Sequence, residues 1–231
     1  MDKDTKKKIT PAVLLLTGIA IAAGLIVLFA ELAEEVLEKS FRSFDQAIID
    51  QFAAWDSPAL DYVMIFITEL GSVWFLTVLS LAVVGYLWFK KHDRWTILYF
   101  IIAIAGSGIL TWILKQFYQR ERPSINPDID AIGFSFPSGH SMGSLVFYGF
   151  LAYLVIRGPQ KAGMKWLLVG AAAILALLIG SSRVYLSAHF PSDVLAGQLS
   201  GAIWLLLCIM ALEWTKYRRG SKDTVTDSEK S

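Results

Sequence analysis

Cysteine is nearly absent from this chain, which has a single residue of that type, Cys208, among 231. One cysteine excludes a disulfide framework and a metal site built on cysteine thiolates. An excess of charge of one sign is also lacking, because 21 lysines and arginines are balanced by 20 aspartates and glutamates. The resulting net charge of +1 gives no indication of a nucleic-acid partner, and we predict none. The chain shows no repeat of fixed period and no soluble domain.

Long polar stretches are scarce, and apolar residues make up 55% of the chain. Soluble domains contain roughly 45–50% apolar residues. The apolar residues are gathered in runs near the length of about 20 residues that a membrane-spanning helix needs. We therefore predict an all-α integral membrane protein with a six-span domain over residues 11–215. The predicted spans cover residues 11–30, 72–89, 95–114, 138–156, 166–182 and 191–214.

Both ends of the chain are polar. Residues 1–10 contain four lysines and precede the first apolar run. A cleaved signal peptide has the same order of features, but its apolar core spans only about 7–15 residues, and no small-x-small cleavage site follows this run. A retained span is therefore the favoured interpretation. Residues 216–231 are charged and polar, which predicts a cytoplasmic tail, disordered from Ser221 onward.

One segment, residues 41–55, has the pattern of a helix that lies in the membrane interface. Apolar side chains recur every three or four residues and define one helix face, while polar residues such as Asp45 lie off it. Such an amphipathic helix is typical of interfacial segments. Two roles remain open for it, a packing element under the bundle and a substrate gate. The apolar residues are Phe41, Phe44, Ile48, Phe52 and Trp55.

The distribution of positive charge predicts the orientation of the spans, because lysine and arginine concentrate on the cytoplasmic side. With a cytoplasmic N-terminus and six alternating spans, 15 of the 21 lysines and arginines lie inside, and the C-terminus is also cytoplasmic. Three of the six outer cations belong to the candidate site described next. The six are Lys39, Arg42, Lys115, Arg120, Arg122 and Arg183.

The candidate site is centred on residues 136–141, Phe-Pro-Ser-Gly-His-Ser, which open the fourth predicted span. Pro137 and Ser138 are residue types that begin helices, and Gly139 allows another group to approach the backbone closely. The N–H groups and the positive dipole end of a helix start bind anions. His140 then stands beside such an anion as a proton donor or acceptor.

Cations from two other stretches are predicted on the same outer side. Arg122 and Arg183 can each bind two phosphate oxygens through a planar guanidinium, and Lys115 adds a point charge. Combined with the helix start at Ser138 and Gly139, these cations predict a phosphate-binding site.

His189 and Asp193 supply the reactive pair of this site. They are four residues apart, and Pro191 between them suits a first helical turn, where the dipole favours an ionised carboxylate. A carboxylate on one imidazole nitrogen leaves the other nitrogen free to attack. We therefore predict that His189 becomes phosphorylated and that His140 protonates the leaving oxygen and later activates water.

We predict no metal and no cofactor. His92 falls on the cytoplasmic side of the predicted topology, so only His140 and His189 remain, too few for a convincing zinc site.

Each of these residues also has a simpler interpretation. A lone lysine or arginine at the end of a span is commonly an interfacial anchor. A histidine or aspartate near a helix end, such as Asp193, is commonly part of a cap. Ser182 is undecided between contact with substrate and support of Arg183. None of these interpretations explains why the whole set falls on one face of the membrane.

The full set resembles the three-part signature of the type 2 phosphatidic acid phosphatase superfamily, with no departure at any position. Within that superfamily the six-span layout is similar to that of the bacterial lipid phosphatases, above all the phosphatidylglycerophosphatase B group. The resemblance implies a helical core shared with the vanadium haloperoxidases and metal-independent turnover through phosphohistidine. The matching residues are Lys115, Arg122, Pro123, Pro137, Ser138, Gly139, His140, Ser182, Arg183, His189 and Asp193.

We therefore expect a lipid phosphatase of the bacterial plasma membrane with its active site at the outer face. The resemblance implies conversion of phosphatidylglycerophosphate to phosphatidylglycerol, with phosphatidate and undecaprenyl pyrophosphate as further substrates. A site at the end of a bundle also suits a headgroup whose tails stay in the bilayer. The alternatives are an enzyme acting mainly on undecaprenyl pyrophosphate, a non-catalytic lipid-phosphate binder or translocator, and a vanadate-dependent oxidant. The sequence does not define an oligomeric state.

Overall fold

The structure is a computed structural model that describes the backbone of residues 3–124, 129 and 131–228. Side chains are described for residues 13, 15–124, 129 and 131–219. The side chains of the predicted basic N-terminus, residues 1–10, and of the tail from residue 220 onward lie outside the described residues.

Over the described backbone the chain forms eight α-helices. Six of them, all except the short second and third, are long and apolar enough to cross a membrane. This confirms the prediction of an all-α protein with six spans. Helix α4 continues as a π-helix over Leu87–Lys91. The helices are α1 (Lys3–Leu37), α2 (Arg42–Ala53), α3 (Pro58–Glu69), α4 (Val73–Tyr86), α5 (Arg94–Tyr118), α6 (Gly139–Arg157), α7 (Ala162–Tyr185) and α8 (Pro191–Ser228).

Helix α6 forms the centre of the bundle and packs against α4, α5, α7 and α8. Half of its apolar segment is buried, against 33% or less in each of the other five candidate spans. The core around it is aromatic, because Phe100 of α5 packs with Phe147 and Phe150 of α6, all fully buried. The outer helices expose large apolar side chains, as expected of surfaces that face lipid. The motif at the start of α6 is therefore held by the most enclosed helix of the fold.

The helix ends near the site follow from local sequence. Ser138 precedes α6, and its Oγ accepts a hydrogen bond from the Ser141 N–H at 3.4 Å, as an N-cap does. Ser72 caps α4 in the same way. Helix α5 ends at Gln119, whose left-handed backbone, with φ of 47°, stops the helix and directs the chain toward Arg122.

Helix α2 buries a residue that its hydrophobic pattern does not select. Its Phe44 is 39% exposed, and the nearby Trp55 is 62% exposed, whereas Asp45 is 2% exposed. Exposed aromatic residues suit a helix whose apolar face meets lipid. Asp45 is buried because Arg120 pairs with it at 2.8 Å, which offsets the cost of removing the carboxylate from water. The periodicity correctly predicted an amphipathic helix with Asp45 off its apolar face. It did not predict that Asp45 is buried, since a pattern of apolar residues contains no information on ion pairs.

Helix α8 extends beyond the predicted end of the last span at residue 214, and its backbone is helical to Ser228. The disorder predicted from Ser221 onward therefore does not hold for the described backbone. Lys216, two residues past the predicted span, donates to Asp93 at 2.8 Å and fixes the helix against the start of α5.

Candidate active site

The three stretches that carry the predicted site residues, 115–123, 136–141 and 182–193, converge at one end of the bundle. A cavity of about 430 Å³ lies between the end of α5, the start of α6 and the loop between α7 and α8. Five of the eight predicted site residues line it, and the other three, Ser138, Arg183 and Asp193, are fully buried at the same end of the fold. The five lining residues are Lys115, Arg122, Gly139, His140 and His189.

His189 and Asp193 form a buried pair across the first turn of α8. The Asp193 carboxylate lies 3.4 Å from Nδ1 of His189 through Oδ2, and the same oxygen accepts the Phe190 N–H at 2.9 Å. Helix α8 begins at Pro191, so Asp193 is its third residue, where the helix dipole favours a carboxylate. The His189 N–H donates to the Arg183 carbonyl at 3.1 Å, which anchors the loop in front of α8. Contacts of the His189 ring and of the His189 backbone therefore both fix the orientation of the imidazole.

The second ring nitrogen of His189 faces the cations. Its Nε2 lies 3.1 Å from a terminal nitrogen of Arg122. A guanidinium can only donate, so Nε2 is the acceptor and the ring proton of the neutral imidazole sits on Nδ1, toward Asp193. Burial lowers the pKa of His189 well below its usual range, and the nearby charges of Arg122, Lys115 and Arg183 lower it further. Neutral His189 with its lone pair on Nε2, on the side of the cavity, is the form that a nucleophile requires.

His140 and Gly139 line the cavity from the start of α6. His140 is the second residue of the helix and is 7% exposed. A Cβ on Gly139 would approach Cγ2 of Thr111 within 3.3 Å, so glycine allows α5 and α6 to pack closely here. Ser138 is buried, and its Oγ accepts hydrogen bonds from the backbone and the side chain of Ser141. Its predicted contact with phosphate stays a prediction.

Lys115 and Arg122 are oriented by backbone carbonyls. Nζ of Lys115 donates to the Phe134 carbonyl at 2.5 Å. Arg122 donates to the carbonyls of Ala188 at 2.7 Å and Ile132 at 2.9 Å. These bonds hold both cations in fixed positions at the cavity. A concentration of positive charge at the end of a cavity is suited to an anionic group.

Arg183 is fully buried beneath the cavity. Its terminal nitrogen donates to Oγ1 of Thr68 at 3.0 Å and to the Ile129 carbonyl at 2.7 Å. These bonds place a fixed guanidinium between α3 and the loop before α6. Ser182 donates to the carbonyl of Ile179 in its own helix at 2.7 Å and is fully buried, which favours the supporting role over contact with substrate.

Two residues at this end were not predicted as part of the site. Arg120 donates to Oδ1 of Asp193 at 2.6 Å and to Oδ2 of Asp45 at 2.8 Å. In the sequence Arg120 is only one of six outer cations, and Asp45 is a polar residue of an amphipathic helix. A carboxylate and an arginine separated by 75 positions give no pairing signal in a single sequence.

The described residues contain no group of three or more His, Cys, Asp or Glu side chains that could hold a metal ion. The independence of metal ions nevertheless stays a prediction about activity.

Comparison with known proteins agrees with this geometry. The family model of the PAP2 superfamily matches residues 96–217, which contain every predicted site residue. The chain belongs to the PAP2 superfamily. This confirms the resemblance found in the sequence, and it establishes a family whose relatives include several phosphatases.

Individual relatives support the same assignment. Phosphatidylglycerophosphatase B of Bacillus subtilis is 33% identical over 185 residues, which cover 80% of this chain and 91% of that protein. An undecaprenyl-diphosphatase of Sulfolobus acidocaldarius is 25% identical over 158 residues, 68% of this chain and 72% of that protein. The crystal structure of a transmembrane PAP2-type phosphatidylglycerolphosphate phosphatase from Bacillus subtilis superposes with a TM-score of 0.74 and 32% identity. It covers 81% of this chain and 93% of that one.

Proposed function

We propose that this PAP2 protein is a metal-independent lipid phosphatase that works through a phosphohistidine at His189. The observation that carries the proposal is the environment of His189, whose Nδ1 side faces Asp193 at 3.4 Å while Nε2 faces the cavity that contains Arg122 and Lys115. A binding protein has no use for an oriented, neutral imidazole next to a phosphate-binding cluster. The pair therefore favours an enzyme over a lipid-phosphate binder or translocator.

In the first half of the reaction, a phosphate oxygen of the substrate replaces Nε2 of His189 as one of the hydrogen-bond acceptors of Arg122. The Nε2 lone pair then attacks phosphorus, and the P–N bond forms as the ester P–O bond breaks. His140 gives its proton to the departing oxygen, so that an alcohol leaves instead of an alkoxide. Arg122, Arg183 and Lys115 stabilise the negative charge on the transferring group, and Asp193 stabilises the positive charge that develops on His189.

In the second half, His140 acts as the base. It takes a proton from a water molecule, whose oxygen attacks phosphorus and breaks the P–N bond. Inorganic phosphate leaves, and both histidines return to their starting forms. Three fixed cations supply the charge stabilisation that a metal ion supplies in other phosphatases, so no cofactor enters either step.

The shape of the cavity supports a lipid substrate. Beyond the polar end, its walls are mainly apolar and belong to α4 and α5, where Val73, Leu76 and Ile104 line it. Helices α4 and α5 make few direct contacts with each other, since each packs mainly on α6 or α8 and both meet the π-helix at the far end. A tail that stays in the bilayer can therefore reach between them while its headgroup enters the site.

Among lipid phosphates, we propose phosphatidylglycerophosphate as the main substrate, on the strength of the Bacillus subtilis relative that covers most of the chain. Phosphatidate is a further substrate of the same chemical class. The second candidate for the main role is undecaprenyl pyrophosphate, which the name of the Sulfolobus relative favours.

The deciding experiment is release of inorganic phosphate from pure lipids by the purified protein in detergent or vesicles, with EDTA present. We expect phosphatidylglycerophosphate to be hydrolysed with the highest kcat/KM. A clear preference for undecaprenyl pyrophosphate would shift the main role to the second candidate. No release from any lipid would contradict the proposed function, and a strict need for a divalent ion would contradict the metal-free mechanism.

We further propose that the site faces the outside of a bacterial plasma membrane, with both termini cytoplasmic. A cysteine in place of Ser124, two residues after Arg122, in a Cys208→Ser background should react with an impermeant thiol reagent added to intact cells. A cysteine at Ser221 should react only after the membrane is opened. The reverse pattern would place the site in the cytoplasmic leaflet.

A further inference from the structure

The carboxylate of Asp193 has partners at both of its oxygens. Its Oδ2 faces His189 and accepts the Phe190 N–H, whereas Oδ1 accepts from Arg120 at 2.6 Å. The side chain of Asp193 is 0% exposed, so water contributes nothing to its stabilisation. A carboxylate buried to this degree stays ionised only if a cation or several donors compensate the loss of hydration. Arg120 is the cation in direct contact with it.

Arg120 is in turn held by α2. Its second terminal nitrogen donates to Oδ2 of Asp45 at 2.8 Å, and Asp45 also binds the first turn of α8 by accepting from the N–H and the hydroxyl of Ser192, at 2.8 and 2.7 Å. The Arg120 guanidinium lies 4.1 Å from the centre of the Phe190 ring. Both ends of the guanidinium and one of its faces are therefore fixed by contacts, which leaves it a single orientation toward Asp193.

We propose that Arg120, held by Asp45, is a positioning residue that keeps Asp193 ionised and directed at His189, and that α2 is thereby coupled to phosphoryl transfer. The inference rests on the proposed function, because it assigns a role through His189. It also selects between the two roles that the sequence left open for α2. The helix serves as a packing element whose one buried polar side chain, Asp45, reaches the reactive pair through Arg120.

The charges of the cluster suit this role. Counted as ionised, Asp45, Arg120 and Asp193 carry a formal net charge of −1. Had Arg120 paired with Asp193 alone, the two charges would cancel and little attraction would remain for His189. Because Asp45 shares the same guanidinium, negative charge is left on the Asp193 side as the imidazole becomes cationic during phosphoryl transfer.

The position of Arg120 separates it from the phosphate-binding cations. It does not line the catalytic cavity, whereas Arg122, two residues further on, does. Arg120 instead lines a neighbouring cavity of about 720 Å³, together with Lys39 and Arg42, whereas Arg122 lines both cavities. Arg120 therefore acts on the reaction through Asp193 and not by contact with the phosphoryl group.

The test compares Arg120→Gln, Asp45→Asn and the double variant with wild type, using phosphate release from the best lipid substrate. For Arg120→Gln we expect kcat to fall by about 10²-fold with KM changed less than about tenfold, since an interaction made in the transition state is weakened. For Asp45→Asn we expect a loss of about tenfold, and the double variant should be no slower than Arg120→Gln, because coupled residues are not additive.

The pH profile provides a readout that a purely structural role would not change. The charged or titratable groups that face Asp193 are Arg120 and His189, with Asp45 beyond Arg120. Without Arg120 the carboxylate is harder to ionise, so the acid limb of kcat should move to higher pH in Arg120→Gln. Arg120→Lys, which keeps the charge, should restore the limb toward its wild-type position while recovering kcat only in part.

Asp50→Asn is the matched control on the same helix. Asp50 is exposed and accepts from Gln46 at 2.8 Å, away from Arg120, so its kcat and pH profile should equal those of wild type. If wild type is active and folded Arg120→Gln has the same kcat and the same acid limb, the positioning role is overturned but the proposed function is not. If Arg120→Gln does not fold, the kcat and the acid limb of Asp45→Asn are used to test the positioning role in its place. A wild type that releases no phosphate would instead overturn the proposed function.

Discussion

At the end of the bundle opposite the site, Lys216 pairs with Asp93 at 2.8 Å and Arg157 pairs with Glu213 at 3.3 Å. All four side chains are 33% or more exposed. At the site end, Arg183 and Asp193 are 0% exposed. Both ends use the same residue types at the ends of apolar helices. Exposed pairs contribute about 0–1 kcal/mol each, whereas a buried charge is tolerated only with full compensation. Burial, more than residue type, separates the candidate site from interfacial anchors.

The substitution Asp193→Asn is the most severe test of the difference between the two ends. It keeps the shape of the buried side chain and removes its charge. We expect kcat to fall by about 10²–10⁴-fold, because in a triad of related geometry the equivalent change costs about 10⁴-fold. KM should change by less than about tenfold, since Asp193 does not touch the phosphate. Steady-state kinetics on folded protein measure both constants. Near-normal turnover would show that the His189–Asp193 pair is structural.

A smaller effect is expected from Arg183→Lys, which keeps the charge but removes the planar guanidinium. Lysine cannot make the same pair of bonds to Thr68 and the Ile129 carbonyl while also presenting a fork to phosphate. We expect kcat/KM to fall by about 10–10²-fold, with both kcat and KM affected. Arg157→Lys at the opposite end is the control and should change kcat/KM less than twofold. Equal effects of the two substitutions would remove the distinction between the ends.

The buried His189 at the site end should make the stability of the protein depend on pH. His189 has a lowered pKa in the folded state, so its contribution to stability is present above the unfolded pKa of about 6.5 and is lost as pH falls toward the folded value. The slope is at most about 1.4 kcal/mol per pH unit. Between pH 7 and 5, the free energy of unfolding in detergent should depend less steeply on pH in His189→Gln than in wild type. Identical slopes for the two proteins would contradict the neutral, buried His189.

The smallest effect is expected from Lys216→Met. Its partner Asp93 is partly exposed, so loss of the pair should reduce the free energy of unfolding by about 1 kcal/mol or less. Phosphate release should stay within twofold of wild type, because this pair lies at the far end of α5 and α8. A large loss of activity would mean that the two ends of the bundle are coupled.

The site could be predicted from the sequence because its residues stand in short local patterns. Ser138 and Pro191 mark helix starts, and the spacing of His189 and Asp193 places them one helical turn apart, independent of tertiary structure. The role of Arg120 could not be predicted in this way. Its partners belong to α2 and α8, and only tertiary folding brings them together. The sequence also did not predict the burial of Asp45, because hydrophobic periodicity contains no information on ion pairs. The helix end at Ser228 was missed for a related reason, since polar composition predicts disorder without considering a helix already fixed by its preceding turns.

The central claim is the phosphohistidine, and the most direct measurement is to trap and map it. Purified His140→Ala, which lacks the proposed water-activating base, is mixed with a lipid phosphate that carries a good leaving group and is quenched at high pH, where phosphohistidine survives. Mass spectrometry of the digest should find the phosphoryl group on His189, and it should be lost on mild acid treatment. The same experiment on His189→Ala should yield no phosphoenzyme. A phosphoryl group on any other residue, or an intact phosphoenzyme in His189→Ala, would contradict the account.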